Sequence, residues 1–204
     1  MRQCHVCDRK FGLFEKPQGL ASVGAWFCPG CVPKYYQGQK QRVLAELSTG
    51  GDPVELFRVT GVTTTDPDDS SHRSILYGHL IFTDKAVVFV QGDKVVTPAI
   101  NPLIHGGLVG GLIWELQHGR AQRKAHAQAQ KTTGQMAGDL REVIGKSDRL
   151  IVIPRASIRE IKYGWFRGLR IKARTGKESK SFQLPNKRET YEEFRPQLEK
   201  YVWG

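Results

Sequence analysis

The clearest pattern in the chain is Gly78–Gln91, GHLIFTDKAVVFVQ. Two apolar runs, Leu80-Ile81-Phe82 and Ala86-Val87-Val88-Phe89-Val90, flank the polar triplet Thr83-Asp84-Lys85. Aromatic and β-branched runs of strand length around so short a break predict a β-hairpin. A first strand is predicted at 54–60, followed by an acidic polar loop at 63–73, TTTDPDDSSHR. A short strand at 93–99 is expected to end at Pro98. The β pattern stops there and resumes after residue 148. Further strands are predicted at 149–154, 158–163, 169–173 and 181–184. Gly164 and Gly168 bracket a tip, Trp165-Phe166-Arg167, and Thr175-Gly176-Lys177 makes a hairpin turn.

Helical spacing appears in three places. Residues 32–47 carry Tyr35, Tyr36, Val43, Leu44 and Leu47 at roughly helical intervals. Ser48-Thr49-Gly50-Gly51-Asp52-Pro53 then breaks the chain and marks the expected domain boundary. In the middle, the apolar Gly-rich run Leu103–Trp114 gives way at 115–131 to a segment rich in Ala, Gln, Arg and Lys. That composition predicts a mostly solvated helix. Thr132-Thr133-Gly134 should interrupt it, before a second short helix at 136–144. The last stretch, from Lys187, repeats Tyr191, Phe194, Leu198, Tyr201 and Val202 on one face, with Asn186 and Glu189 placed for a capping box. Together these predict an α+β chain: a small N-terminal unit at 1–47 and a larger one at 54–203. The strands of 54–99 and 149–203 should form one barrel-like sheet closed by the final helix, with 101–147 as a helical insertion.

Cysteine usage sharpens the N-terminal unit. All four cysteines fall in two C-x2-C pairs, Cys4/Cys7 and Cys28/Cys31, with twenty residues between them. Each pair can place two sulfurs on one side of a tight turn, and four thiolates satisfy tetrahedral Zn2+. The expected module is a zinc ribbon or treble clef whose metal is structural, since four sulfurs leave no position for a reacting water. Phe11, Leu13, Phe14, Leu20, Val23, Trp26 and Phe27 supply its miniature core, too small to stand without the ion. His5 lies inside the first knuckle, where it either serves as a solvated spacer or replaces one of the cysteines as a ligand. Free thiols grouped this way point to a reducing, cytoplasmic setting, and the N-terminus shows no continuous apolar run of the secretory kind.

Charge shifts the functional reading. The 204 residues carry a formal +11. Residues 51–100 hold four basic and seven acidic side chains, net −3, and residues 151–204 hold thirteen and six, net +7. A polyanionic partner is therefore expected at the C-terminal half.

Gly78-His79-Leu80-Ile81-Phe82-Thr83-Asp84-Lys85 followed by Ile153-Pro154-Arg155-Ala156-Ser157-Ile158 resembles bacterial pleckstrin-homology-like and GRAM-like domains. Gly168-Leu169-Arg170-Ile171-Lys172 and Phe182-Gln183-Leu184 are similar to their later strands, over roughly 54–99 and 149–203. The Cys-rich start is similar to small uncharacterised zinc domains attached to such proteins. The resemblance implies binding of lipid, peptide or protein, without catalysis. The sequence departs from phosphoinositide-binding members where these carry basic residues: its first interstrand loop holds Asp66, Asp68 and Asp69 against Arg73.

Two surfaces are candidates for contact. Leu103–Trp114 would rise about 18 Å as a helix against a hydrocarbon core of about 30 Å, so it is too short to span. It can cap the sheet, dip into an interface through Leu108, Ile113 and Trp114, or pair copies of the chain through Gly106–Gly111. The second candidate is the aromatic-basic tip of Lys162, Trp165, Phe166, Arg167, Arg170, Lys172 and Arg174. It suits an anionic membrane surface or stacking on single-stranded nucleic acid. No G-x-S-x-G, H-E-x-x-H or phosphate-loop motif is present, and the six histidines are scattered. The expected function is a non-enzymatic adaptor docking on an anionic membrane surface or a protein partner. The alternative is a nucleic-acid-binding protein using the zinc module and the basic C-terminal face.

Overall fold

The computed structural model describes residues 2–12, 15–20, 23–68, 74–96, 123–134, 136, 138–164, 168–173, 179–185 and 188–203. The predicted contact run at 103–114, the asparagine cap at 186 and the tip at 165–167 lie outside them, as do Arg174 and the turn at 175–177. The chain is α+β. A small ladder of β1 (Gln18–Leu20) and β2 (Ala25–Phe27) leads into α1 (Val32–Ser48). Then come β3 (Glu55–Thr65), β4 (Ser74–Thr83) and β5 (Ala86–Val96), α2 (residues 123–134) and α3 (Leu140–Lys146). β6 (Leu150–Pro154), β7 (Ile158–Gly164), β8 (Gly168–Ala173), β9 (Ser179–Phe182) and α4 (Arg188–Trp203) complete it.

The predicted single barrel is not what the strands make. They form a four-stranded antiparallel sheet, β3-β4-β5-β6, and a three-stranded one, β7-β8-β9. The two meet at an isolated bridge between Thr63 and Gln183, and among the described residues no pairing joins β6 to β7. The reason lies at Pro154–Ser157: Pro154 has no N–H to continue a ladder, and a 3-10 turn follows it at once. The barrel is therefore open between β6 and β7. One core lies between the sheets, with Leu80, Phe82, Val87 and Phe89 facing Leu169, Ile171 and Phe182. α4 closes its end with buried Leu198 and Tyr201 and partly buried Tyr191 and Phe194.

The other face of the four-stranded sheet is also covered. Ile81, Val88 and Val90 pack against Leu47 of α1 and Leu140, Val143 and Ile144 of α3, while Ala129 of α2 sits on Tyr77 and Val95. A strand buried on both faces needs apolar residues at every position. That is the physical origin of the unbroken Leu80–Phe82 and Ala86–Val90 runs. Gly78 sits at a bulge in the β4–β5 register, where a Cβ would lie 2.1 Å from the Val90 carbonyl oxygen. No other residue fits that approach.

Several element boundaries move for tertiary reasons. β5 joins the hairpin's second strand to the short strand expected from residue 93, because its pairing with β4 runs to Val96. α2 is not interrupted at Thr132–Gly134: Thr133 is fully buried, packed at Gly92 of β5, and it carries the helix to residue 134. α3 begins at Leu140 and not 136, since Asp139 accepts the Glu142 N–H at 2.8 Å as N-cap. Among the described residues no helix is long and apolar enough to cross a membrane.

The hairpin turn also locks the end of α1. The Lys85 ammonium donates to the carbonyls of Leu47 at 2.5 Å, Thr49 at 2.7 Å and Gly51 at 2.5 Å, matching its three protons to three orphan acceptors. Asp84 accepts from the Val54 N–H at 2.8 Å on the other side of the same linker. Lys85→Met, which keeps the stem but removes the donors, is expected to destabilise the chain by about 1–2 kcal/mol. Urea unfolding reads this out; an unchanged midpoint would show that water serves these carbonyls equally well.

Candidate metal centre

The two knuckles are built by short backbone hydrogen bonds. The Cys4 N–H donates to the Arg9 carbonyl and the Asp8 N–H to the Cys4 carbonyl at 3.0 Å, which closes the first turn. Asp8 holds φ +56°, a left-handed conformation that aspartate tolerates better than most residues. The second turn closes through the Cys31 N–H on the Cys28 carbonyl at 2.9 Å, and its 3-10 turn Pro29–Cys31 runs straight into α1. An isolated bridge between Cys4 and Trp26 brings the knuckles together.

The four sulfurs lie within 4.8 Å of one another, close enough to hold one metal ion. Cys7 and Cys28 Sγ are 3.7 Å apart, far too long for a disulfide. Sulfurs on a tetrahedral ion with bonds of about 2.3 Å stand about 3.8 Å apart. Cys4 and Cys31 are buried, Cys28 half-buried and Cys7 exposed. Burial resists ionisation of Cys4, but N–H groups of Cys28, Val6 and Cys7 and the Cys7 thiol outweigh it, bringing its pKa down to about 6. Cys28 moves the other way, up to about 12, through burial and then the neighbouring Cys7 and Cys4 sulfurs; Cys31 shifts upward for the same reasons. Four sulfurs gathered this closely suit a single cation, which would offset the mutual repulsion of their thiolates. Cys31 also occupies the N-terminus of α1, whose dipole favours a thiolate. His5 is exposed and its ring packs on Phe27 and Tyr35, away from the sulfur cluster.

Of the basic-tip residues, the structure describes Lys162, Arg170 and Lys172. Leu169 and Ile171 point into the core, which leaves Arg170 and Lys172 on the outer face of β8. Lys162 pairs with Arg170 across β7–β8, and Glu160 with Lys172. Glu160 contacts both lysines, Lys162 at 2.5 Å and Lys172 at 3.6 Å. Its carboxyl falls below the usual range chiefly through the Lys162 hydrogen bond. Leu108, Ile113, Trp114, Trp165, Phe166, Arg167, Arg174 and Gly106–Gly111 lie outside the described residues.

One buried group runs against the sequence expectation. Asp66 and Asp68, expected in a solvated acidic loop, are buried or nearly so, with side-chain exposures of 2 % and 6 %. The Arg149 guanidinium bridges both carboxylates, contacts the Tyr36 hydroxyl and lies 4.7 Å above the Tyr36 ring. Lys94 reaches Asp66 at 2.7 Å, and Tyr36 donates to Asp68 at 2.6 Å. The network ties α1 to the β3–β4 loop, β5 and the start of β6. Asp66-Pro67-Asp68 was the available signal, since an Asx turn is one way such a triplet buries its carboxylates, and the Asp68 N–H does donate to Asp66 at 2.9 Å.

Comparison with family models, with curated proteins and with solved structures finds no match for this chain.

Proposed function

We propose that the chain is a non-enzymatic adaptor: a structural zinc module of treble-clef type joined to a pleckstrin-homology-like binding domain that docks on an anionic membrane surface. Zinc is favoured by four sulfur donors at tetrahedral spacing, and the treble clef by a second knuckle that opens directly into α1. The single observation that carries the docking reading is the Lys162–Arg170 pair. Like charges directly opposite on adjacent strands destabilise a sheet. Here they stand on an outer face with Lys172, and one carboxylate, Glu160, serves both lysines. An anionic partner relieves that repulsion.

The test is co-sedimentation with vesicles of zwitterionic lipid alone and of zwitterionic lipid mixed with phosphatidylserine, with a single-stranded oligonucleotide at matched ionic strength. The protein is expected to prefer the anionic vesicles and to leave them as salt shortens the Debye length below about 8 Å. Lys162→Glu with Arg170→Glu removes two attractive charges worth about 1 kcal/mol each, a loss of at least about thirtyfold. Equal sedimentation with both lipids overturns the membrane reading. Preference for the oligonucleotide replaces it with nucleic-acid binding.

A further inference from the structure

A second site lies where α4 ends against the β4–β5 turn, away from the β7–β8 face. Two open cavities of about 520 and about 430 Å³ share Arg155 and Tyr201 as a common wall. Both fall within the usual range for small-molecule pockets, about 300–1,000 Å³. One is lined by Asp84, Lys85 and Ile158, the other by Leu56, Phe57, Gln197 and Lys200. Leu56 is 49 % exposed, on a strand that otherwise turns its large apolar residues inward. Arg155 is held in place by two contacts. Its guanidinium lies 4.7 Å over the Tyr201 ring, and its Nε donates to the Tyr201 carbonyl at 3.2 Å. Its terminal nitrogens, which form the carboxylate-matching fork, have no partner among the described residues, and neither does the Lys200 ammonium. The Tyr201 hydroxyl is buried at the same place without a hydrogen-bond partner among the described residues.

We propose that this groove binds a single-chain anionic amphiphile, a monocarboxylate on an acyl chain. The carboxylate engages Arg155 and Lys200, and the chain lies along Leu56 and Phe57. The charge balance selects a monoanion. Arg155, Lys200 and Lys85 are opposed by Asp84, and the three carbonyls on Lys85 and the negative end of α4 offset part of the remainder. A fully charged phosphate monoester, with two negative charges beside the Asp84 carboxylate, is disfavoured.

Isothermal titration of the full chain with octanoate, below its micellar concentration, tests the proposal. The expected result is saturable one-to-one binding, at least tenfold tighter than octanol, which lacks the charge, and than acetate, which lacks the chain. Arg155→Met should weaken octanoate at least tenfold, and Arg155→Lys should recover part of it, since it restores charge without the fork. Leu56→Asp, at an exposed position that leaves the melting temperature in place, should weaken it similarly. Lys162→Glu with Arg170→Glu should leave it unchanged, so failure of the membrane reading and failure of this one are separable. No saturable octanoate binding overturns the proposal, as does equal binding of octanol or full binding by Leu56→Asp. Binding of peptides with an apolar C-terminal residue in place of octanoate also overturns it.

Discussion

Stripping the ion from the sulfur cluster with a strong chelator is expected to lower the melting temperature of the whole chain, not of the first 31 residues alone. The N-terminal module has little else to hold it: its buried apolar cluster is Leu20, Phe27 and Val32, with partly buried Val23, Ala25, Tyr35 and Tyr36 around it. A core of that size is too small to stand without a metal or another cross-link. The effect spreads because α1 serves two clusters. Its first turns, at Val32, Tyr35 and Tyr36, pack on the metal module, and its last turns, at Val43, Leu44 and Leu47, pack on the four-stranded sheet. Leu47 is 4 % exposed, and its burial alone contributes about 1.5–3 kcal/mol. Circular dichroism should show loss of helical signal on chelation, with a single lowered transition. Cys31→Ser, at the junction of knuckle and helix, should reproduce the chelated protein without chelator. Metal content well under one per chain, or an unmoved transition after chelation, would sink the assignment.

The next largest effect is expected at Asp66. Asp66→Ala leaves the Arg149 guanidinium in a site where its side chain is 11 % exposed, with one of its two carboxylates gone. Breaking a buried ion pair by removing one partner typically destabilises by about 3–5 kcal/mol. Retention of Asp68 and Tyr36 places the expected loss near the lower end, about 3 kcal/mol. Arg149→Met should lose a comparable amount, and the double variant clearly less than the sum, because the second change removes an already unpaired charge. Denaturant unfolding of the four proteins closes this cycle. Additive losses would show that Asp66 and Arg149 act independently.

How far the fold could be read from residues depends on whether the determinant was local. The β4–β5 hairpin, the two knuckles and α4 each carry their period or spacing within a few turns of chain, and each forms where expected. The α+β class follows from them. What failed was long-range. Nothing near Thr133 signals that it will be buried at Gly92 and carry a helix through its own breaker residues. Whether the strands close a barrel is settled at Pro154–Ser157, by a missing N–H and a tight turn that no hydrophobic period records. The buried ion network was only half legible: Asp66-Pro67-Asp68 signalled a turn that can bury carboxylates, but nothing local named the cation that meets them. Asp66 and Arg149 are 83 residues apart, so the partner of the turn's carboxylates is set only by the tertiary fold. The four-sulfur cluster needed only spacing, whereas the groove at Arg155 needs four separate segments to arrive together.

The double burial of β4 and β5 has a consequence during synthesis. The hairpin is complete once Val96 has left the ribosome, yet its inner face is covered by β7, β8 and β9, and finally by α4, which ends at Trp203 about a hundred residues later. At about 5–20 residues per second that interval is about 5–20 s. Of the helices on the outer face, only α1 precedes the hairpin; α2 and α3 follow it. The nascent chain thus carries Leu80–Phe82 and Ala86–Val90 with one side half-clad and the other bare, a segment with the β-propensity and low charge of an aggregation nucleus. Asp84 and Lys85 between the two runs act as its charged gatekeepers before they hold the α1 linker in the finished fold.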